Sequence, residues 1–248
     1  MTRRRWIADE VNQKRAALTG AHAAHLALTL RARVGQEFEV ACGNVVRRAV
    51  ITGVAEDRVE FELGDAIASS VVKPITLLLA VFKFDRMEWA IEKCTELNAT
   101  SIVPVITRRT EKHLALAAGK RVDRWRRIAR EASQQARRAA PPEIADPVKL
   151  VDTLQTSDEL RIVLAENEHE SHLVEILRTY PEVPSLALAT GPEGGWIEEE
   201  LKSFQRCGWL SASLGSTILR AETAAIAALA IAQAELSQRP LGDVGFSK

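Results

Sequence analysis

Ala189-Thr190-Gly191-Pro192-Glu193-Gly194-Gly195-Trp196 follows an apolar stretch at 186–190 and runs into Ile197-Glu198-Glu199-Glu200, the acidic start of a helix. Glycines at the carboxyl end of a strand let the backbone approach a ligand closely and take positive φ. A plain strand-to-helix turn needs one glycine, and this one has three around a proline and an acid. The stretch lacks the Lys and Ser/Thr of a phosphate loop and does not match GxGxxG, which disfavours a nucleoside triphosphate or a dinucleotide. It reads as a ligand-binding loop at the end of a buried strand, a structural turn being the alternative.

The chain around this loop has the same style. Strand candidates at 75–81, 101–106, 161–165, 186–190 and 210–214 alternate with helical patterns, which implies a buried parallel sheet and an α/β fold. One helix is expected to be capped by Asp85 with Glu88 in a capping-box arrangement, burying Met87, Ala90, Ile91, Cys94 and Leu97. Another is expected over 120–138, with an apolar stripe of Trp125, Ile128 and Ala132. An alanine-rich helix over 221–236 closes the chain, with Ile226, Leu229, Ala230, Gln233 and Leu236 on one side; its small side chains permit close packing within the chain or across a dimer. Residues 1–72 read differently, as short alternating segments at 37–41, 45–54 and 58–63 punctuated by Gly35, Gly43, Gly53 and Gly64. They look like a small β-barrel, with a boundary near 69–74 marked by Pro74.

With 248 residues, 46% of them apolar, the chain can build two ordinary cores. Cys42, Cys94 and Cys207 form no CxxC pair, so neither a disulfide framework nor a zinc ribbon is suggested, and a reducing cytoplasm fits best. The basic start, Met1-Thr2-Arg3-Arg4-Arg5-Trp6, precedes no apolar signal core, and no span for a membrane is evident. The formal net charge of zero conceals an asymmetry: 105–138 holds eleven Lys or Arg against three acids, and 139–204 holds fourteen acids against four bases. The basic segment suits a phosphate backbone, or else it is a solvated helix face. His169 and His172 have HExH spacing, not the HExxH of a zinc helix, so no metal site is expected.

A second loop, Leu214-Gly215-Ser216-Thr217-Ile218-Leu219-Arg220, leads through Ala221-Glu222-Thr223-Ala224 into the final helix. Arg220 and Glu222 sit in an apolar context where unpaired charge is costly, and they could pair with each other or cap the helix. GPEGG followed by LG, ILR and AETA resembles the bacterial 16S ribosomal RNA methyltransferase E family, of the SPOUT class, which methylates N3 of a uridine. His25, Leu26, Leu30, Arg31 and Gly35 resemble that family's HL…LR…G stretch, and Asp85, Arg86, Met87, Glu88, Lys93, Glu96 and Leu97 its DRME…K..EL helix. Glu131, Gln135, Arg138, Pro142 and Ile144 fall where the family has EQSGR…P.I; the chain departs from it at Gln134, Ala136 and Arg137 and at Phe84, where a glycine is common.

The resemblance implies a PUA-like RNA-binding barrel over 1–72 and a SPOUT methyltransferase domain over 73–248 whose C-terminal part forms a trefoil knot. It also implies a homodimer and S-adenosylmethionine as cofactor, held by Thr190, Gly191, Glu193, Gly194, Gly195, Leu214, Gly215, Ile218, Leu219, Arg220 and Thr223. The substrate would be 16S ribosomal RNA or the small ribosomal subunit, contacted by Arg3, Arg4, Arg31, Arg124, Arg127 and Arg138. Arg220 is the candidate for stabilising charge on the base, and Arg138 is the second catalytic candidate. The rival readings are a methyltransferase for transfer RNA or a ribose hydroxyl, and a non-catalytic RNA-binding ribosome assembly factor.

Overall fold

A computed structural model describes residues 5–67 and 73–236. Residues 69–72 of the expected domain boundary, and Arg3 and Arg4, lie outside the described residues. The chain divides into two compact units, one gathering Met1–Val71 with Arg127–Pro141 and the other Val72–Arg126 with Pro142–Lys248.

In the first unit, β1 (Trp6–Ile7), β2 (Glu10–Val11) and β3 (Arg15–Thr19) precede α1 (Gly20–Ala24), which runs into a single π-helical turn, His25–Thr29. β4 (Glu37–Cys42), β5 (Val45–Val54) and β6 (Arg58–Ile67) follow. The sheet order is β1-β4-β5-β6-β3-β2, antiparallel except for the β1–β4 pair. Alternation puts Val46, Ala49 and Ile51 of β5 inward, with register shifts between Arg47 and Ala49 and between Ile51 and Gly53 that bend the strand. They join Trp6, Leu18, Leu26, Val40 and Phe61 in one core, or Ile7 and Ala41 in a smaller one. β6 runs past Gly64, where the sequence pattern ended it, because a glycine there lets the Arg48 carbonyl come close: a Cβ would lie 3.3 Å from that oxygen.

The second unit opens with β7 (Ile75–Ala80), α2 (Phe84–Glu96), β8 (Ser101–Ile106), α3 (Lys112–Ala117) and the start of α4 (Val122–Gln135), which passes into the first unit at Arg127; a 3₁₀ turn joins α3 to α4. β9 (Glu143–Ile144), β10 (Val148–Lys149), β11 (Leu160–Leu164), α5 (Leu173–Thr179), β12 (Leu186–Thr190), α6 (Glu198–Arg206), β13 (Leu210–Ala212) and α7 (Ala221–Leu236) complete it. The sheet is parallel throughout, in the order β10-β8-β7-β12-β11-β13 with β9 also beside β8. Every residue of β12 is buried, as a parallel strand covered on both faces requires. Phe204 of α6 packs edge-on between Trp196 and Trp209, with ring centroids 4.9 and 5.0 Å away, and anchors the core beneath β12.

Three helix expectations need correction. α2 starts at Phe84, so Asp85 lies inside the first turn and cannot cap it; Lys83 holds the cap position without a side-chain bond. Glu88 accepts from Arg124 Nε at 2.7 Å instead of closing a capping box, and Thr95, not Leu97, completes the buried face. α4 ends at Gln135, and its buried stripe takes Ala129 where Ile128 was expected. On α7 the buried side is Ala221, Glu222, Ala225, Ala228, Leu229, Ala232 and Leu236, because the small alanines let α2, α5 and β12 approach; Ala230 faces outward.

The second half of α4 groups with the N-terminal strands through specific bonds. Arg130 Nη2 donates to the Ile7 carbonyl at 2.8 Å and to Asp9 at 2.6 Å, and the Arg5 amide donates to the Gln134 carbonyl at 3.1 Å. Arg137 and Arg5 both donate to Glu39, and these bonds hold its carboxyl below the usual carboxylate range. Part of the basic segment is thus structural.

Candidate cofactor site at the carboxyl ends of the parallel strands

β7, β12, β11 and β13 all end at the same edge of the sheet, where loops of open α/β sheets form ligand crevices. A cavity of about 540 Å³ lies there. Its walls are the ends of β11 (Leu164, Ala165, then Glu166 and His169), β12 with its loop (Thr190 to Glu193, Gly195, Trp196), and β13 with its loop (Ala212 to Arg220). Arg86 at the start of α2, with Ala221 and Ala224 of α7, completes them.

Local chemistry shapes the first loop. Gly195 has φ +71 and donates to the Pro192 carbonyl at 2.8 Å, closing a tight turn that a side chain would strain. Trp196 Nε1 donates to the Leu164 carbonyl at 2.8 Å, tying the loop to the end of β11. Gly191 is small because the indole lies over it: a Cβ would sit 3.2 Å from Trp196 Nε1. The α6 start is fastened by Glu200, buried, whose carboxylate accepts from the Ile197 amide at 3.1 Å and the Arg108 amide at 2.8 Å.

Arg86 reaches both loops. Its Nη1 donates to Glu193 Oε1 at 2.7 Å, and its Nε lies 3.9 Å from Glu222 Oε1. Glu222 is buried, so its cation partner is Arg86 and not Arg220. Arg220 is exposed, lines the cavity and makes no side-chain bond or ion pair with the described residues. The physical reason is position: Glu222 turns inward on the first turn of α7, while Arg220 precedes that turn.

The cavity brings together Thr190, Gly191, Glu193, Gly195, Leu214, Gly215, Ile218, Leu219 and Arg220, among the residues expected to hold the cofactor. Gly194 and Thr223 are not in its wall; Gly194 faces Arg109 instead, whose guanidinium donates to the Gly194 carbonyl. Arg138 belongs to the first unit, is half-buried, and has its guanidinium pushed down to about 10 by burial. Arg31 is exposed, with left-handed backbone at φ 52; Arg127 is exposed, and Arg124 is engaged by Glu88.

Arg86, Glu166, His169 and Trp196 are wall residues outside the expected set. Arg86 carried a signal through the Asp85-Arg86-Met87-Glu88 stretch, and Trp196 through its place at the end of the glycine loop. Among the described residues no group of three or more His, Cys, Asp or Glu is placed to hold a metal, and no helix is long and apolar enough to cross a membrane.

The RNA methyltransferase domain family matches residues 69–233. Ribosomal RNA small subunit methyltransferase E of Synechocystis sp. is 31% identical over 226 residues, 90% of this chain and 74% of that protein. The protein of the same name from Rickettsia conorii is 33% identical over 188 residues, 73% of each. A crystal structure of ribosomal RNA small subunit methyltransferase E from Neisseria gonorrhoeae, bound to S-adenosyl methionine, superposes with TM-score 0.82 at 27% identity, covering 93% of this chain and 97% of that one. Sequence and fold agree: the chain belongs to the ribosomal RNA small subunit methyltransferase E family of RNA methyltransferases.

Proposed function

We propose that this chain transfers a methyl group from S-adenosylmethionine to N3 of a uridine in 16S ribosomal RNA of the small subunit. The observation that carries the reaction is the cavity itself. Both glycine-containing loops line it, and Arg220 stands in its wall as a cation without a carboxylate partner among the described residues. The cavity suits this cofactor: much of its wall is backbone and apolar side chains, which suit a neutral adenosine, Arg86 is already paired with Glu193 and Glu222, and Glu166 and His169 add polar groups. When bound, the cofactor supplies an electrophilic methyl group on sulfur.

Gly191, Gly195, Leu214, Gly215, Ile218 and Leu219 would hold it by close backbone contact, with Thr190 and Glu193 beside them in the wall and Gly194 and Thr223 outside it. Arg220 would face the uracil oxygens. Uridine N3 is weakly nucleophilic while protonated, and loss of its proton spreads negative charge over N3, O2 and O4, which a guanidinium stabilises. Transfer would then be a direct displacement, the sulfur–methyl bond breaking as the N3–methyl bond forms and the N3 proton passing to water or a backbone carbonyl, with no covalent enzyme intermediate. RNA would be positioned by Arg31, Arg127 and Arg138, by Arg124 once released from Glu88, and by Arg3 and Arg4.

The same proposal assigns 1–72 to a PUA-like barrel and 73–248 to a SPOUT domain with a trefoil knot, working in the cytoplasm as a homodimer that uses α7. The six-stranded sheet of the first unit supports the barrel, and the parallel sheet of the second supports the methyltransferase domain. Arg220→Ala should slow single-turnover methylation about 100-fold at saturating RNA and cofactor, the scale of losing one charge-stabilising donor. A wild-type rate in that variant removes Arg220 from the chemistry.

A further inference from the structure

The third glycine of the first loop is not accounted for by the cavity. Gly194 lies outside its wall, and a Cβ built there would meet Arg109 at 3.2 Å from Cδ, 3.8 Å from Cβ and 4.0 Å from Cγ. The space a side chain would occupy is filled by the arginine stem. The guanidinium at the end of that stem donates to the Gly194 carbonyl, so one residue both covers the α-carbon and holds the oxygen. Gly194 has no positive φ, so backbone strain does not demand a glycine there.

Arg109 is well placed to act as a fixed post. It belongs to the turn between β8 and α3, which is pinned at several points. The Thr107 amide donates to Thr110 Oγ1 at 3.1 Å, Thr110 Oγ1 bonds the Val81 carbonyl at 3.3 Å, and the Arg108 amide donates to buried Glu200 at 2.8 Å. On the preceding residue of the loop, Arg86 holds Glu193 from the α2 side. Consecutive residues of the loop are therefore gripped by cations from two different strand ends, while the flanking Pro192 and Gly195 form the cavity wall.

We propose that Arg109 is a positioning residue of the cofactor loop: it clamps the Gly194 carbonyl so that the Gly191–Gly195 backbone faces the cavity, and Gly194 is a glycine to admit the arginine and not the ligand. The part concerning affinity rests on the cofactor reading above; the clamp itself does not.

The test is a double-mutant cycle read two ways. Titration calorimetry with S-adenosylmethionine should show Arg109→Ala binding about tenfold more weakly, and Gly194→Ala a few-fold more weakly. The double variant should be no weaker than Arg109→Ala alone, because both changes break one contact. Arg109→Lys, which keeps a donor, should recover part of the loss. Losses that add, or an unchanged affinity in Arg109→Ala, overturn the proposal and return the Gly194 space to the ligand. Amide hydrogen exchange in the ligand-free protein supplies the second measurement. Arg109→Ala should speed exchange at Gly195 by about fivefold or more and leave β11 unchanged, because losing one net hydrogen bond lowers the opening cost locally. If wild type binds no S-adenosylmethionine but the exchange shift is present, the cofactor reading fails and the clamp stands. If exchange at Gly195 does not move, the clamp is wrong whatever the affinity.

Discussion

The two loops that line the cavity are built in opposite ways. Residues 190–197 are tied down at nearly every step: Trp196 to the Leu164 carbonyl, Glu193 to Arg86, Gly194 to Arg109, Gly195 back to Pro192, and Ile197 to Glu200. Residues 213–220 are fastened at their two ends: Ser213 Oγ bonds Gly215, the Ser213 amide donates to the Ser171 carbonyl at 2.8 Å, and the Arg220 carbonyl accepts from the Ala224 amide at 2.8 Å. Between those ends Gly215 to Ile218 are exposed, Ile218 by 80%. A loop held by the protein is preorganised for its ligand, whereas an exposed loop with an apolar tip gains its contacts only when something is added. The first loop therefore sets the cavity's shape, and the second supplies Arg220 and the side that the substrate or a partner subunit would cover.

The largest expected effect on cofactor affinity lies in the first loop. Gly191→Val drives two methyl groups toward an indole already 3.2 Å from where a Cβ would stand, and the Trp196–Leu164 bond resists displacement. Cofactor affinity should fall by about tenfold or more, roughly 1.4 kcal/mol, in a calorimetric titration. Unchanged affinity would mean the loop yields as easily as its neighbour, and the contrast would be lost. Trp196→Phe is a milder probe: it keeps the edge-on ring contact with Phe204 and removes one part-buried hydrogen bond, so denaturant unfolding should show a loss of about 1 kcal/mol. Ile218→Ser in the second loop should change stability by less than about 0.5 kcal/mol, as an exposed side chain away from packing does. Comparable losses in these two variants would erase the distinction.

The smallest effect sharpens a different contrast, between basic residues already bonded and those left exposed. Arg127→Gln should flatten the salt dependence of RNA affinity by about one phosphate contact, a slope change of roughly 0.7 to 0.9. Arg124→Gln should do less, because Glu88 accepts from Arg124 Nε at 2.7 Å and competes with a phosphate for it. Equal slopes in the two variants, measured across a salt series, would show that the Glu88 bond does not restrain Arg124.

What the sequence could reveal follows from how local each signal is. The strands at 45–54, 101–106 and 186–190 and the helix at 221–236 have the bounds their patterns predict, since period-two and period-3.6 patterning are properties of adjacent residues. β1, β2, β9 and β10 are two residues each, too short to show any period, and are strands only because a neighbour pairs with them. α2 begins one residue ahead of its expected cap for a related reason: Glu88 is drawn to Arg124, 36 positions away, and no local rule contains that bond. The cavity wall divides likewise. Gly191, Gly195 and Gly215 are legible as ligand-loop glycines, but Arg86 meets Glu193 across 107 positions and Arg109 meets Gly194 across 85. The pairing of Glu222 with Arg86 in place of Arg220 depends on which way the first turn of α7 faces, which periodicity alone placed about one residue out.

The central claim is that this cavity directs a methyl group to a base nitrogen of small-subunit ribosomal RNA, and the direct measurement is nucleoside mass spectrometry with mapping of 16S ribosomal RNA from a deletion strain. The strain is to be complemented in parallel by the wild-type chain and by Arg220→Ala. N3-methyluridine should be missing at one position in the deletion strain, restored by the wild-type chain and largely absent with Arg220→Ala. Restoration of a ribose or C5 methyl instead, or full N3 methylation in the deletion strain, would contradict the account.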